Sequence, residues 1–348
     1  MRGKLAQAGK RKRGNGKRVS IESTGFTEDF MLAFCLAVLL QLAPTRSAPD
    51  RFPFPDSRFP RVATFSIAAR DPANGDLGVA VQSKFPNVRV AVPYAKAGVG
   101  AVATQSFSNS DFGTKGLELL ALGATPQEVL TIIGRDDANL EDRQVGIVDA
   151  KGRSATFTGK KCFDWAGGRT GPDYAIQGNI LVSEETVAAM EKTFLGTKGS
   201  LAERLLASIK AGAEAGGDKR GRQSAALVVV REGASYDGKS DAYVDISVYD
   251  AKDPIAEIFR LYELQKVHFE RSDPKDVIPI AGPDAVYLQK LLAKKGFHKG
   301  RTDGVWDDAS TKALADYMGW ENYDTRIRQD GKIDRKILAL IKGKEGAM

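Results

Sequence analysis

Both histidines of the chain, His268 and His298, fall in its last quarter, so residues 62–264 contain no imidazole. A Ser-His-Asp triad, a Cys-His pair and a histidine metal site each need that ring as base or ligand, and none can be built there. Hydrolysis in this stretch requires another base. Thr64 opens the first strand-like run; if the chain is cut before it, the freed α-amine can deprotonate the residue's own hydroxyl. An unperturbed α-amine titrates at about 7.7–8.0, so part of it is neutral near pH 7. The alternative is a β-branched strand residue and nothing more. Lys84 ends the second strand-like run. In a hairpin it would lie near the first and lower a neighbouring amine's pKa by like-charge proximity, or it is a solvated strand end. Thr104, Gln105 and Ser106 end a glycine-rich strand and either line a pocket or merely close the strand. In the charged loop 218–224, Asp218 stands beside Arg220 and Arg222, either of which could hold a carboxylate through a bidentate pair; the same loop also suits a solvated helix-to-strand connection. Asp71 and Asp76 flank a turn and read as turn formers. Gly98-Val99-Gly100 is too short for a dinucleotide fingerprint, there is no phosphate-binding loop, and no motif indicates a cofactor or a metal.

These residues need elements to hold them. Alternation predicts a hairpin from 62–69 and 77–83 around Pro72-Ala73-Asn74-Gly75, then strands at 88–92 and 99–104. Two helices follow, at 114–122 and from Pro126, the second opened by a capping box, Thr125 with Glu128. Strands return at 144–149 and 154–158, then helices at 184–194 and from Ser200, again a capping box with Glu203. Strands at 225–230 and 243–249 and a helix from Asp253-Pro254 to about 264 complete the domain. Hairpins dominate, which points to antiparallel sheets, and amphipathic helices need sheet faces to cover, so a helix-sheet-sheet-helix sandwich fits better than a doubly wound parallel sheet.

Composition bounds the rest. The net charge of +7 is concentrated in a leader with eight Lys or Arg against three Asp or Glu in residues 1–30. From Pro49 onward basic and acidic residues nearly balance, so the body has no electrostatic case for nucleic acid. Residues 31–43 form an apolar run too short to span a bilayer but suited to a signal-peptide core, with Ser47 and Ala48 after it; a buried helix or a misplaced start codon is the alternative. Cleavage there leaves Cys162 as the only cysteine, a small buried hydrophobe with no intramolecular disulfide partner. The expected organisation is a leader (1–48), a proline-rich linker (49–61), a large domain (62–265), a second linker (266–282) and a small helical domain (283–342).

Three stretches, Thr64-Phe65-Ser66-Ile67-Ala68-Ala69-Arg70-Asp71, Ala97-Gly98-Val99-Gly100-Ala101-Val102-Ala103-Thr104-Gln105-Ser106 and Gly216-Gly217-Asp218-Lys219-Arg220-Gly221-Arg222-Gln223-Ser224-Ala225-Ala226-Leu227, together resemble the domain of unknown function 1028 family. The resemblance implies a four-layer αββα sandwich similar to the N-terminal-nucleophile (Ntn) hydrolases, an α+β fold, with Thr64 in the nucleophile's place. Asn179, in Gln177-Gly178-Asn179, resembles the Gly-Asn oxyanion donor of some Ntn amidases, or is a turn residue. Family members commonly begin at or just before this threonine; here an extension ending Arg61-Val62-Ala63 precedes it, so a cut between Ala63 and Thr64 is required for catalysis. The tail, with Tyr287-Leu288-Gln289, Gly296-Phe297, Asp303-Gly304-Val305-Trp306 and Thr311, resembles a three-helix peptidoglycan-binding domain; a dimerisation or capping domain is the alternative.

Two function classes follow. One is an exported Ntn-type hydrolase of a small amide or peptide-like bond, held at the cell envelope by its tail and needing no cofactor. The other is a non-catalytic envelope or ligand-binding protein on the same scaffold. Sandwiches of this class often pair, so a homodimer is one option, and the sequence leaves the oligomeric state open.

Overall fold

The computed structural model describes residues 64–346, which belong to one compact unit. The basic leader, the apolar run 31–43 and the proline-rich segment lie outside the described residues. Strands β1 (Thr64–Arg70) and β2 (Leu77–Ser83) form the hairpin that the Pro72–Gly75 turn demands, Gly75 adopting φ 80. The register pairs Arg70 with Leu77 and, at the far end, Thr64 with Ser83.

Residues 88–92 are not a strand: Val88–Val90 is a short 3-10 helix. Asn87 takes the left-handed conformation (φ 49) and the Val88 N–H is held by Ser224 Oγ, so the chain turns here and buries Val88 instead of extending. The strand follows as β3 (Pro93–Lys96), paired with β4 (Gly100–Ser106). Helices α1 (Asp111–Ala121) and α2 (Pro126–Arg135) lead to β5 (Arg143–Asp149) and β6 (Ser154–Thr158). The hairpin β7 (Gly167–Gly171) and β8 (Tyr174–Asn179) has no counterpart in the alternation pattern, because three of the five residues of β7 are glycine and the inward side of β8 is polar. Helices α3 (Glu185–Gly196) and α4 (Leu201–Glu214), strands β9 (Ser224–Val230) and β10 (Ala242–Val248) and helix α5 (Pro254–Phe269) follow. Both capping boxes form, Thr125 with Glu128 and Ser200 with Glu203.

The fold is α+β with antiparallel sheets. One sheet runs β10-β9-β2-β1-β8-β7, the other β3-β4-β5-β6. Three apolar clusters hold them. Phe65, Ile67 and Ile176 meet Met190, Leu205 and Ile258 from α3, α4 and α5. Val102, Val145 and Ile147 meet Phe112, Val129 and Ile133 from α1 and α2. Ala68, Val79 and Val81 meet Ala101, Ala103 and Val148 from the second sheet, a contact rich in small residues that lets the sheets approach closely.

The tail comprises β11 (Val277–Pro279), α6 (Gly282–Lys294), α7 (Asp308–Trp320), β12 (Lys332–Asp334) and α8 (Arg335–Gly346), β11 pairing with β12. Its own core gathers Leu288, Leu292, Leu314, Tyr317, Ile333, Ile337 and Ile341. Helix α5 runs to Phe269, past the 264 that apolar spacing indicates, because its last carbonyls find donors in the tail: Arg326 Nε bonds Val267 O at 2.8 Å and Arg326 Nη2 bonds Lys266 O at 2.7 Å.

Candidate functional site

Along β1, β2, β4 and β5 the side chains facing the opposite sheet change from apolar to polar toward the same end. Ala68 gives way to Ser66 and Thr64, Val79 and Val81 to Ser83, Ala101 and Ala103 to Gln105, and Val148 to Gln144. β8 adds Gln177 and Asn179, lying across from Ser66 and Thr64. All seven polar residues are at most 1% exposed and none carries a charge. Uncharged polar groups buried at this density need partners or a purpose, because each unpaired one costs about 1–3 kcal/mol.

Most have partners. Thr64 Oγ1 lies 3.0 Å from Ser83 Oγ. Ser66 Oγ donates to Gln105 Oε1 and accepts Gln177 Nε2, both at 2.6 Å. Gln105 Nε2 reaches Thr64 O at 3.1 Å and Gln144 Oε1 at 2.9 Å, fixing the head of β1 to the second sheet. Gln144 Nε2 donates to Gly178 O at 2.8 Å and Thr158 Oγ1 at 2.9 Å. Asn179 Nδ2 donates to Gln144 Oε1 at 2.8 Å. Gly146 is required beneath this network: a Cβ there would come within 1.8 Å of Gln177 Oε1.

Loops frame the same end. The backbone bends sharply just past the network, with Ser106 (φ 65) and Ile180 (φ 52) both in the left-handed region, costing of order 1–3 kcal/mol each. Ile180 is held by Phe163 O and by Lys219 N–H. The Asp218 carboxylate, wholly buried, accepts Lys84 N–H at 2.9 Å and Arg220 N–H at 2.8 Å and pairs with the Arg220 guanidinium, which ties the loop after α4 to the end of β2.

The structure brings Thr64, Gln105 and Asn179 together in the network and sets Lys84, Asp218 and Arg220 at its edge. Lys84 reaches the site only through its backbone; its side chain is exposed, and strand alternation gives the inward place beside Thr64 to Ser83. Ser106 Oγ lies 3.5 Å from the Cys162 thiol. Thr104 turns to the other face, its Oγ1 bonded to Asn109 O. Arg222 packs away from the network, donating to Ala213 O at the end of α4. The Arg220 guanidinium meets the Asp218 carboxylate through both Nε and Nη2, tying down its own loop. Sequence reasoning missed Ser66, Ser83, Gln144 and Gln177. Ser83 was within reach, since counting back from the turn places it opposite Thr64; Gln177 was not, because β8 went unread. Among the described residues no group of three or more His, Cys, Asp or Glu is placed to hold a metal ion.

The family model described as "Family of unknown function (DUF1028)" matches residues 64–258, beginning at Thr64. The model described as "Putative peptidoglycan binding domain" matches residues 268–341. A crystal structure of protein SPO2555 from Silicibacter pomeroyi, assigned to the first of these families, is similar with a TM-score of 0.54 and 27% identity, covering 59% of this chain and 89% of that one. No curated protein matches. The chain belongs to the Family of unknown function (DUF1028), with a segment after it that matches the peptidoglycan-binding model.

Proposed function

We propose that the protein is an envelope-associated amidohydrolase of Ntn type, activated by removal of the residues before Thr64. Two sheets packed face to face, with helices against the outer face of each, support the four-layer αββα arrangement. The observation that carries the reading is the Thr64 hydroxyl, buried at the head of β1 and hydrogen-bonded to Ser83 Oγ amid uncharged polar side chains. Nothing in that network can act as a base near pH 7, whereas a freed α-amine on the same residue can. In the proposed reaction the amine takes the Oγ1 proton as Oγ1 attacks the substrate carbonyl. The C–N bond then breaks, the proton leaves with the departing amine, and water hydrolyses the Thr64 ester. Ser83 Oγ orients the attacking oxygen.

The tail holds the enzyme at the wall. It offers the Trp320 indole, 75% exposed at the end of α7 and edge-on to Phe297, as an aromatic surface for the apolar face of a sugar ring. A scaffold without catalysis is the second reading, favoured by the complete burial of Thr64.

A β-lactone separates the two. Protein beginning at Thr64 is expected to gain one acyl group on that residue, and Thr64→Ala none. Wild-type protein with a free Thr64 that stays unmodified would leave only the scaffold.

A further inference from the structure

Asn179 keeps one polar atom without a partner, and the network dictates which. The carbonyls of Gly178 and Gly167 can only accept, so Gln144 must direct its Nε2 at them, at 2.8 and 3.3 Å. That leaves Gln144 Oε1 as an acceptor, and it takes Gln105 Nε2 and Asn179 Nδ2. Asn179 must therefore present its nitrogen to Gln144 and turn Oδ1 away, and Oδ1 is buried with no hydrogen-bond partner. Rotating the amide by half a turn would set oxygen against oxygen, so a flip relieves nothing.

What this oxygen lacks is a donor. Asn179 stands directly across from Thr64 in the β1–β8 register, on the same face of the sheet. Opposed residues of an antiparallel pair place their Cβ atoms about 4.5–5.5 Å apart. Cleavage before Thr64 creates N–H donors at that spot. We propose that Asn179 Oδ1 receives the freed α-amine of Thr64, as a positioning acceptor and not as the oxyanion donor that the Gly-Asn pattern implies; this rests on the hydrolase reading above. With one N–H held by Asn179, the amine directs its lone pair toward Oγ1. The residue type fits the task. A carboxylate in the same place would favour the ammonium form and raise its pKa by about 1–3 units, removing the base near neutral pH.

The charges on surrounding elements are few. Lys84 follows β2, the Asp218–Arg220 pair sits in the loop after α4, and Lys219 Nζ rests on Asp164 O. Arg143, at the head of β5, is turned to Asp137 on the outer face.

The test is the pH dependence of Thr64 acylation by a β-lactone in protein beginning at Thr64. In this step Oγ1 attacks the lactone carbonyl, the ring C–O bond breaks, and the Oγ1 proton passes through the amine to the released alkoxide. Asn179→Ala is expected to slow the reaction roughly tenfold and to lower the midpoint of its rising limb, since the ammonium loses a hydrogen bond. Asn179→Asp keeps an acceptor and is expected to raise the midpoint by about one unit or more while approaching the wild-type rate at high pH. An oxyanion donor would behave differently, Asn179→Ala losing rate with the midpoint unmoved and Asn179→Asp staying slow even at high pH, and that result overturns the assignment. So does a wild-type profile in Asn179→Ala. If Asn179→Ala does not fold, the Asn179→Asp rate at high pH decides, near wild type for a positioning acceptor and still depressed for an oxyanion donor. Wild-type protein that is never acylated overturns the hydrolase reading and this assignment with it.

Discussion

Replacing Arg326 by Met should destabilise the join between the two domains. The Arg326 guanidinium is buried in the tail and makes three kinds of contact there: an ion pair with the wholly buried Asp334, a bond to Val267 O and a bond to Lys266 O. Burial pushes the Asp334 carboxyl up, but the polar groups around it, including the Lys336 N–H and the Arg326 guanidinium, overcome that and hold it below the usual carboxylate range. Arg326→Met leaves this carboxylate without its cation and strips donors from the last turn of α5. Removing one partner of such a pair costs about 3–5 kcal/mol, whereas an exposed pair is worth about 0–1. Urea unfolding followed by far-UV circular dichroism and by the fluorescence of Trp306 and Trp320 measures the loss in the tail. Combining Arg326→Met with Asp334→Asn removes the stranded charge and should recover part of it. A single-variant loss below about 1 kcal/mol, or no recovery in the double variant, refutes the reasoning.

Asp137 predicts the acid limb of stability. Burial alone would raise its pKa, but Arg143, Asn109 Nδ2 and the Asn139 N–H together lower it from 3.8 to about 2. A folded-state value below the unfolded one contributes stability that is whole above about pH 4 and is lost as pH falls through about 2, an amount of about 2 kcal/mol. Asp137→Asn should flatten that part of the stability curve, and an unchanged acid slope would contradict it. Gly146→Ala should cost about 1–3 kcal/mol in urea unfolding by forcing Gln177 off Ser66; stability within 0.5 kcal/mol of wild type would show that the network can yield. Trp320→Ala should weaken pull-down by purified peptidoglycan roughly tenfold, with Trp320→Phe largely retaining it; equal binding by all three proteins would place the glycan contact elsewhere.

Much of this was legible in the chain because local chemistry set it. The Pro72–Gly75 turn fixes the β1–β2 register, and the boxes at Thr125 and Ser200 start their helices where the sequence puts them. Thr64 stood out because histidine was missing. Residues 88–92 look extended because valine recurs at every second position, while a distant hydroxyl, Ser224, holds the turn. Gln144 and Gln177 were invisible for a similar reason: their significance lies in five strands placing polar residues at one end of the space between two sheets, a coincidence of registers that no single segment records. The orientation of Asn179 is further still from the sequence, since it is set through Gln144 on β5 by the carbonyls of Gly178 and of Gly167 on β7.

The proposed base is a nitrogen that only a cut before Thr64 sets free. Intact-mass and amino-terminal analysis of active protein recovered from the cell envelope measures it directly. The expected chain has Thr64 as its first residue. Turnover by protein in which the Ala63–Thr64 peptide bond is still closed would contradict it.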